Sequence, residues 1–184
     1  MNVIDEEGDY TPEFLELMEY VKHFNVHYKL MLRRYARFKQ NDDISNTDID
    51  VITYLDMIIV QLRAMCIESK HLKKNYTAQI LLQKVGEELL AKKLDTMLDE
   101  EFFSYRANFS IRKAIKTLAD GFICHYDNFD GEAKDAWALA AIIEKQLRSP
   151  YDKHNLDYIM KTVIECIGEG LSIKIKVEGD TSCL

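Results

Sequence analysis

The sequence predicts an all-α fold, and three observations lead there. Of 184 residues 47% are hydrophobic, while only 7 are Gly and 2 are Pro, too few chain breakers for many short strands. Apolar residues recur every three or four positions over long stretches, the period of a helix with one buried face. Several of these stretches begin with a residue that caps helices. The length fits one domain, able to bury roughly 70% of the surface its unfolded chain exposes. The expected organisation is an acidic segment at 1–10, a helical bundle at 11–170 and a short extended tail at 171–184.

The first helix starts at Thr11-Pro12-Glu13, with Thr as N-cap and Pro at the first helical position, where its missing N–H costs nothing. Phe14, Leu17, Met18, Val21, Phe24, Tyr28, Met31, Leu32, Tyr35 and Phe38 form its apolar stripe. After the polar run QNDDISN, Thr47 and Asp50 resemble a capping box. Ile49, Ile52, Leu55, Ile59, Leu62, Met65 and Cys66 then carry a second helix toward Ser69. Both are expected to exceed twenty residues and to pack antiparallel across the short loop.

A third helical region opens near Thr77 and is interrupted at Gly86, the residue least suited to a helix interior after proline. Ser110 caps the next helix, whose face carries Ile111, Ile115, Leu118, Phe122, His125 and Phe129. Helices over about 132–147 and 156–167 follow, separated by a turn at Ser149-Pro150. The ending, LSIKIKVEGDTSCL, alternates apolar and charged residues, as a short strand or an extended tail would.

The four cysteines form no C-x-x-C pair, which points to free thiols in a reducing cytoplasm. The first ten residues lack the basic and apolar regions of a signal peptide, and no apolar run approaches the ~20 residues of a membrane span. No phosphate-binding glycine loop, serine elbow or zinc pattern occurs. A formal charge of −7 opposes broad non-specific binding to nucleic acid, which depends on neutralising phosphates.

Cations nevertheless cluster at Lys29, Arg33, Arg34, Arg37 and Lys39, and again at Arg63, Lys70, His71, Lys73 and Lys74. Both groups fall at helix ends, where positive charge suits the macrodipole. If the two ends share one side of the bundle, Arg33, Arg34, Arg37, Arg63, Lys70, Lys73 and Lys74 make a nucleic-acid-binding surface, with Tyr35, Phe38 and Tyr76 as stacking platforms. A further stripe, Glu19, His23 and His27, has helical spacing for metal ligands. Bundle metal sites, however, draw ligands from several helices, so the expectation is no metal and no cofactor.

The stretch LADGFICHYDNFD places His125 inside an apolar helix and follows it with Tyr126-Asp127. A core imidazole with a hydrogen-bond partner accounts for that pattern, and so does a general acid or base in a cleft. DGFICHYD resembles the R-[N/D]-K-φ-φ-A-H-Y-D pattern of the HEPN-type helical superfamily, and the layout from about Val60 to Asp130 is similar to its AbiU2-like members. That resemblance implies an all-α bundle and, in active members, metal-independent ribonuclease chemistry with a ribose 2′-hydroxyl as nucleophile and the motif repeated across a dimer. Residue by residue it places His125 as the proton-transfer or phosphate-orienting group and Asp120 in the polar slot. The window for the motif Arg holds Leu118, Ala119 and Asp120, and the nearest upstream cation is Lys116.

Three functional expectations follow. The first is nucleic-acid processing by an endoribonuclease with a degenerate motif, using His125, Asp120 and Lys116. The second is a catalytically silent module that binds a protein partner. The third is a helical metal-binding protein centred on His23 and His27. The partners implied are RNA or another nucleic acid, a second copy of the chain, or another protein, with no membrane.

Overall fold

A computed structural model describes residues 6, 8–41, 49–67, 76–102, 109–123 and 133–172. Among them run α1 (Pro12–Asn41), α2 (Ile49–Cys66), α3 (Ala78–Lys84), α4 (Glu88–Asp99), α5 (Ile111–Leu118), a π-helical turn (Ala119–Ile123), α6 (Ala133–Arg148) and α7 (Leu156–Ser172). The only extended pairing among the described residues with both partners placed is one antiparallel bridge, Glu101 to Ser110. The architecture is an all-α helical bundle, and no described helix is long and apolar enough to cross a membrane.

Helix α1 is 30 residues long. The Thr11 hydroxyl accepts from the Phe14 N–H at 3.4 Å, so the start predicted from Thr-Pro is the observed one. Leu17, Val21, Phe24, Tyr28, Met31 and Phe38 are buried along one side. That side meets two helices. Gln61 of α2 donates its amide to the His27 carbonyl at 3.1 Å. In that register a parallel α2 would begin beside Leu15, about 39 Å from Asn41 at 1.5 Å per helical residue. The connecting chain reaches only about 29 Å, so α2 does not run parallel to α1.

On its other flank α1 meets α7, and these two helices run antiparallel. The Tyr28 hydroxyl donates to the Ile164 carbonyl at 3.5 Å, and seven residues later the Tyr35 hydroxyl donates to Asp157 at 2.7 Å. Lys39 completes that clasp on the other Asp157 oxygen, also at 2.7 Å. Burial of the Tyr28 phenol pushes its pKa up to about 12.

Helix α2 has 18 residues, fewer than the twenty-plus expected, and it is the centre of the molecule. Val51, Leu55, Ile58, Ile59, Leu62, Met65 and Cys66 are all buried, and α2 contacts α1, α3, α5 and the π turn. Ile49, expected on the core stripe, stands 77% exposed in its first turn, because the packing begins only at Val51.

Gly86, at φ +82°, makes the break between α3 and α4 that its position predicts, since only Gly takes that conformation without strain. Gly170 on α7 has a different reason: a Cβ there would sit 2.2 Å from Leu82 Cδ2, so its bareness lets α7 settle onto α3. The Ser110 hydroxyl accepts from Lys113 N–H at 3.3 Å and caps α5 as expected. Helix α6 ends at Arg148, α7 begins at Leu156, and the turn falls at Ser149-Pro150 as predicted. The expected tail lies beyond Ser172, outside the described residues apart from its first two positions, Leu171 and Ser172, which are the last of α7.

One carboxylate works against the bundle. Asp56 on α2 is raised to about 6, first by burial and then by the charge of Glu144 on α6. A carboxyl with a higher pKa folded than unfolded favours the folded state below about pH 4 and loses that contribution as pH rises through about 6. Asp56→Asn should therefore stabilise the protein at pH 7 by about 1 kcal/mol, a fraction of the full shift because the group keeps part of its solvation. It should also flatten the fall in stability between pH 4 and 6. Urea unfolding at several pH values measures both.

Candidate functional site

Two of the residues singled out from the sequence, Arg63 and Asp120, meet at one corner. Helix α5 gives way at Ala119 to the π turn, which takes an extra residue into one turn and often marks functional positions. The turn contains Gly121, and a Cβ there would meet nothing within 4 Å. Its glycine is therefore not demanded by crowding. The 3.6-residue count that aligned His125 with Leu118 does not run through 119–123. His125 itself, with Tyr126 and Asp127, lies outside the described residues.

Asp120 projects from this turn and is met by Arg63 from the last turn of α2. Arg63 Nε lies 3.1 Å from Oδ1 and Nη2 lies 3.3 Å from Oδ2, a two-pronged pairing of guanidinium and carboxylate. The third prong, Nη1, donates to the Ile67 carbonyl at the end of α2. The Arg63 side chain is 17% exposed and that of Asp120 42%. Arg63 thus belongs to the inside of the corner, engaged on all three nitrogens. The carboxylate keeps a solvent-facing edge able to accept one more hydrogen bond. Lys116 is exposed one turn earlier.

The other expected members lie apart from this corner. Arg33 and Arg37 are exposed on α1, Arg34 is half-buried, and Lys39 is held by Asp157. Lys70, Lys73 and Lys74 lie outside the described residues, as does His71. The three aromatic platforms are used otherwise. Phe38 is 1% exposed and sits in the core, so it is unavailable to a base. Tyr35 is bonded to Asp157, and Tyr76 packs on Tyr20 with ring centroids 4.1 Å apart. Glu19, His23 and His27 are exposed along α1. Among the described residues no three His, Cys, Asp or Glu side chains converge as metal ligands.

A second polar centre was not singled out in the sequence. Glu100, just past α4, receives the Tyr158 hydroxyl at 2.6 Å, His154 Nε2 at 2.8 Å and Lys153 Nζ at 3.3 Å. Burial alone would raise this carboxyl, but the three donors hold it below its ordinary value. The same contacts push the Tyr158 phenol up to about 12, burial first and the Glu100 bond second. Glu100 borders an open groove of about 630 Å³ along α4, lined also by Gln83, Glu88, Lys92, Asp95 and Asp99. Asp95 and Asp99 are both bonded to Arg112, at 2.9 and 2.8 Å. No sequence signal marks this centre, because Glu100 lies more than fifty residues from Lys153, His154 and Tyr158 and the four carry no motif.

Comparison of the chain with protein-family models, with curated proteins and with solved structures finds no match. The class defined by fold and corner is therefore an all-α bundle with a guanidinium–carboxylate pair built on a π turn.

Removing one charge of that pair strands the other in a poorly solvated place. Asp120→Asn should cost about 1–3 kcal/mol. The double variant Arg63→Met, Asp120→Leu should recover part of that loss, since apolar replacement removes both desolvation penalties. Chemical unfolding of the two single variants and the double variant gives the coupling directly.

Proposed function

We propose that the chain processes nucleic acid as a metal-independent ribonuclease of HEPN type, at the corner between α2 and the π turn. The observation that supports this most is the Arg63–Asp120 pair. The window Leu118 to Asp120 has no cation of its own, and α2 supplies a guanidinium at that spot. In this reading His125 removes the proton from a ribose 2′-hydroxyl, the oxygen attacks the adjacent phosphorus, and the 5′-oxygen leaves and is protonated. The products are a cyclic phosphate and a free 5′-hydroxyl. Asp120 fixes the guanidinium of Arg63, and Lys116 adds positive charge for the phosphate as a point charge. Lys70, Lys73 and Lys74, which follow α2 in sequence, extend the contact to neighbouring phosphates. Cys66 and Cys166 are free and buried, in keeping with a reducing compartment such as the cytoplasm.

A second reading, a silent module for a protein partner, is supported by the exposed aliphatic side chains of α1, where Leu15 is 52%, Val26 57% and Leu30 37% exposed.

The experiment is an RNA cleavage assay with and without chelator. The expected result is metal-independent cleavage that His125→Ala lowers by about a hundredfold or more. Arg63→Lys should lower it by a smaller factor, because lysine lacks the fork. Wild-type protein that cuts neither RNA nor DNA, with or without metal, overturns the enzymatic reading and leaves the binding module.

A further inference from the structure

The chemistry proposed above leaves the departing 5′-oxygen without a proton donor. Arg63 and Asp120 are committed to one another, and Lys116 serves as a point charge. A carboxyl suited to the task stands on the same face of α2 as Arg63. Asp56 precedes Arg63 by two helical turns, so the two lie about 20° apart around the axis and about 10 Å apart along it. Val60 falls between them, and both Asp56 and Val60 are half-buried.

Two elements border this face. The π turn meets it at Arg63 through Asp120, and α6 brings the charge of Glu144 to bear on Asp56. In the sequence His125 lies between those two elements, after the π turn and before the start of α6 at Ala133. Among the described residues Asp56 has neither an ion pair nor a hydrogen bond. Glu144 is the one charged group among them that acts on it, with none from α1, α3, α5 or the π turn. Burial first and Glu144 second raise the Asp56 carboxyl to about 6. It therefore keeps its proton through most of the acid range and yields it near neutrality. A half-buried carboxylate without a partner costs the bundle stability, and such a cost is typical of catalytic positions, where an acid or base needs a pKa near the working pH.

We infer that Asp56 is the proton donor to the leaving 5′-oxygen, at a phosphate seated over Val60 between Asp56 and Arg63. This rests on the ribonuclease reading. The bond from the 2′-oxygen to phosphorus forms as the bond from phosphorus to the 5′-oxygen breaks. The departing electron pair stays on the 5′-oxygen, which takes the Asp56 proton, while His125 holds the proton removed from the 2′-hydroxyl. Solvent then returns a proton to Asp56 and accepts one from His125, so the cycle closes with no net change. Glu144, itself 3.7 Å from Arg148 Nη1, is a positioning residue that keeps the proton on Asp56.

The test uses the full chain and two RNA oligonucleotides. One has ordinary linkages, and the other carries sulfur in place of the bridging 5′-oxygen at the linkage the protein cuts, where a thiolate departs without needing a proton. Asp56→Asn should lower cleavage of the ordinary linkage about a hundredfold or more and leave the sulfur-bridged one unchanged. His125→Ala should lower both. In the wild type, cleavage of the ordinary linkage should fall as pH rises through about 6, because the donor must be protonated. Asp56→Asn should abolish that fall, and Glu144→Gln should move it to lower pH.

Asp56→Asn is expected to stabilise the fold, so circular dichroism and urea unfolding separate lost activity from lost structure. Wild-type protein that cuts neither oligonucleotide overturns the ribonuclease reading and this inference with it. Wild-type cleavage of the ordinary linkage that Asp56→Asn leaves intact overturns the inference alone. So does a variant that loses both substrates equally.

Discussion

The burial of α2 is the constraint on which the rest of the structure depends. With Val51, Leu55, Ile58, Ile59, Leu62, Met65 and Cys66 inside, this helix cannot lie at the edge of the bundle. It must be covered by α1 on one side and by α5 and the π turn on another. A helix apolar over so much of its surface gains stability wherever a neighbour removes it from water, at about 25 cal/mol per Å². Its few polar side chains are then carried inward with it and must find partners. Gln61 finds the His27 carbonyl and Arg63 finds Asp120. The candidate site follows from the same requirement that makes the core.

The electrostatics follow from where the helices end. Lys39 and Tyr35 clasp Asp157 in the first turn of α7, where an acid already suits the positive end of the helix dipole. Glu100, just after α4, gathers Tyr158, His154 and Lys153 and ties the turn before α7 back to α4. Two acids are thus satisfied, each by an aromatic hydroxyl together with a cationic side chain. Asp56 differs from both, raised first by burial and then by the charge of Glu144. The bundle carries that cost on the same helix that supplies Arg63.

Much of the fold was legible in the sequence because it rests on local rules. The cap at Thr11, the break at Gly86, the cap at Ser110 and the turn at Ser149-Pro150 are each set by backbone chemistry within a few residues. The 3.6-residue stripe of α1 likewise named its buried side. Where several helices compete, local rules stop short. Ile49 fits the α2 stripe yet is exposed, while Val51, two residues on in the same turn, is buried. Phe38 resembled a base-stacking aromatic, but Phe38 fills the core at 1% exposure, since α1 is covered even near its C-terminal end.

By itself the sequence determined that the chain is helical and where most helices start and stop. Those properties depend on residues close together in the chain. Only the tertiary structure decided that Arg63, fifty-seven residues away, places its guanidinium on Asp120. It also decided that the turn carrying Asp120 is π-helical and that Glu100, His154 and Tyr158 form one network. Each of these depends on which helix faces which, and packing decides that by excluding water from the largest apolar surfaces. A basic residue at a helix end has no mark in its own segment to say whether it faces solvent or a carboxylate on another helix.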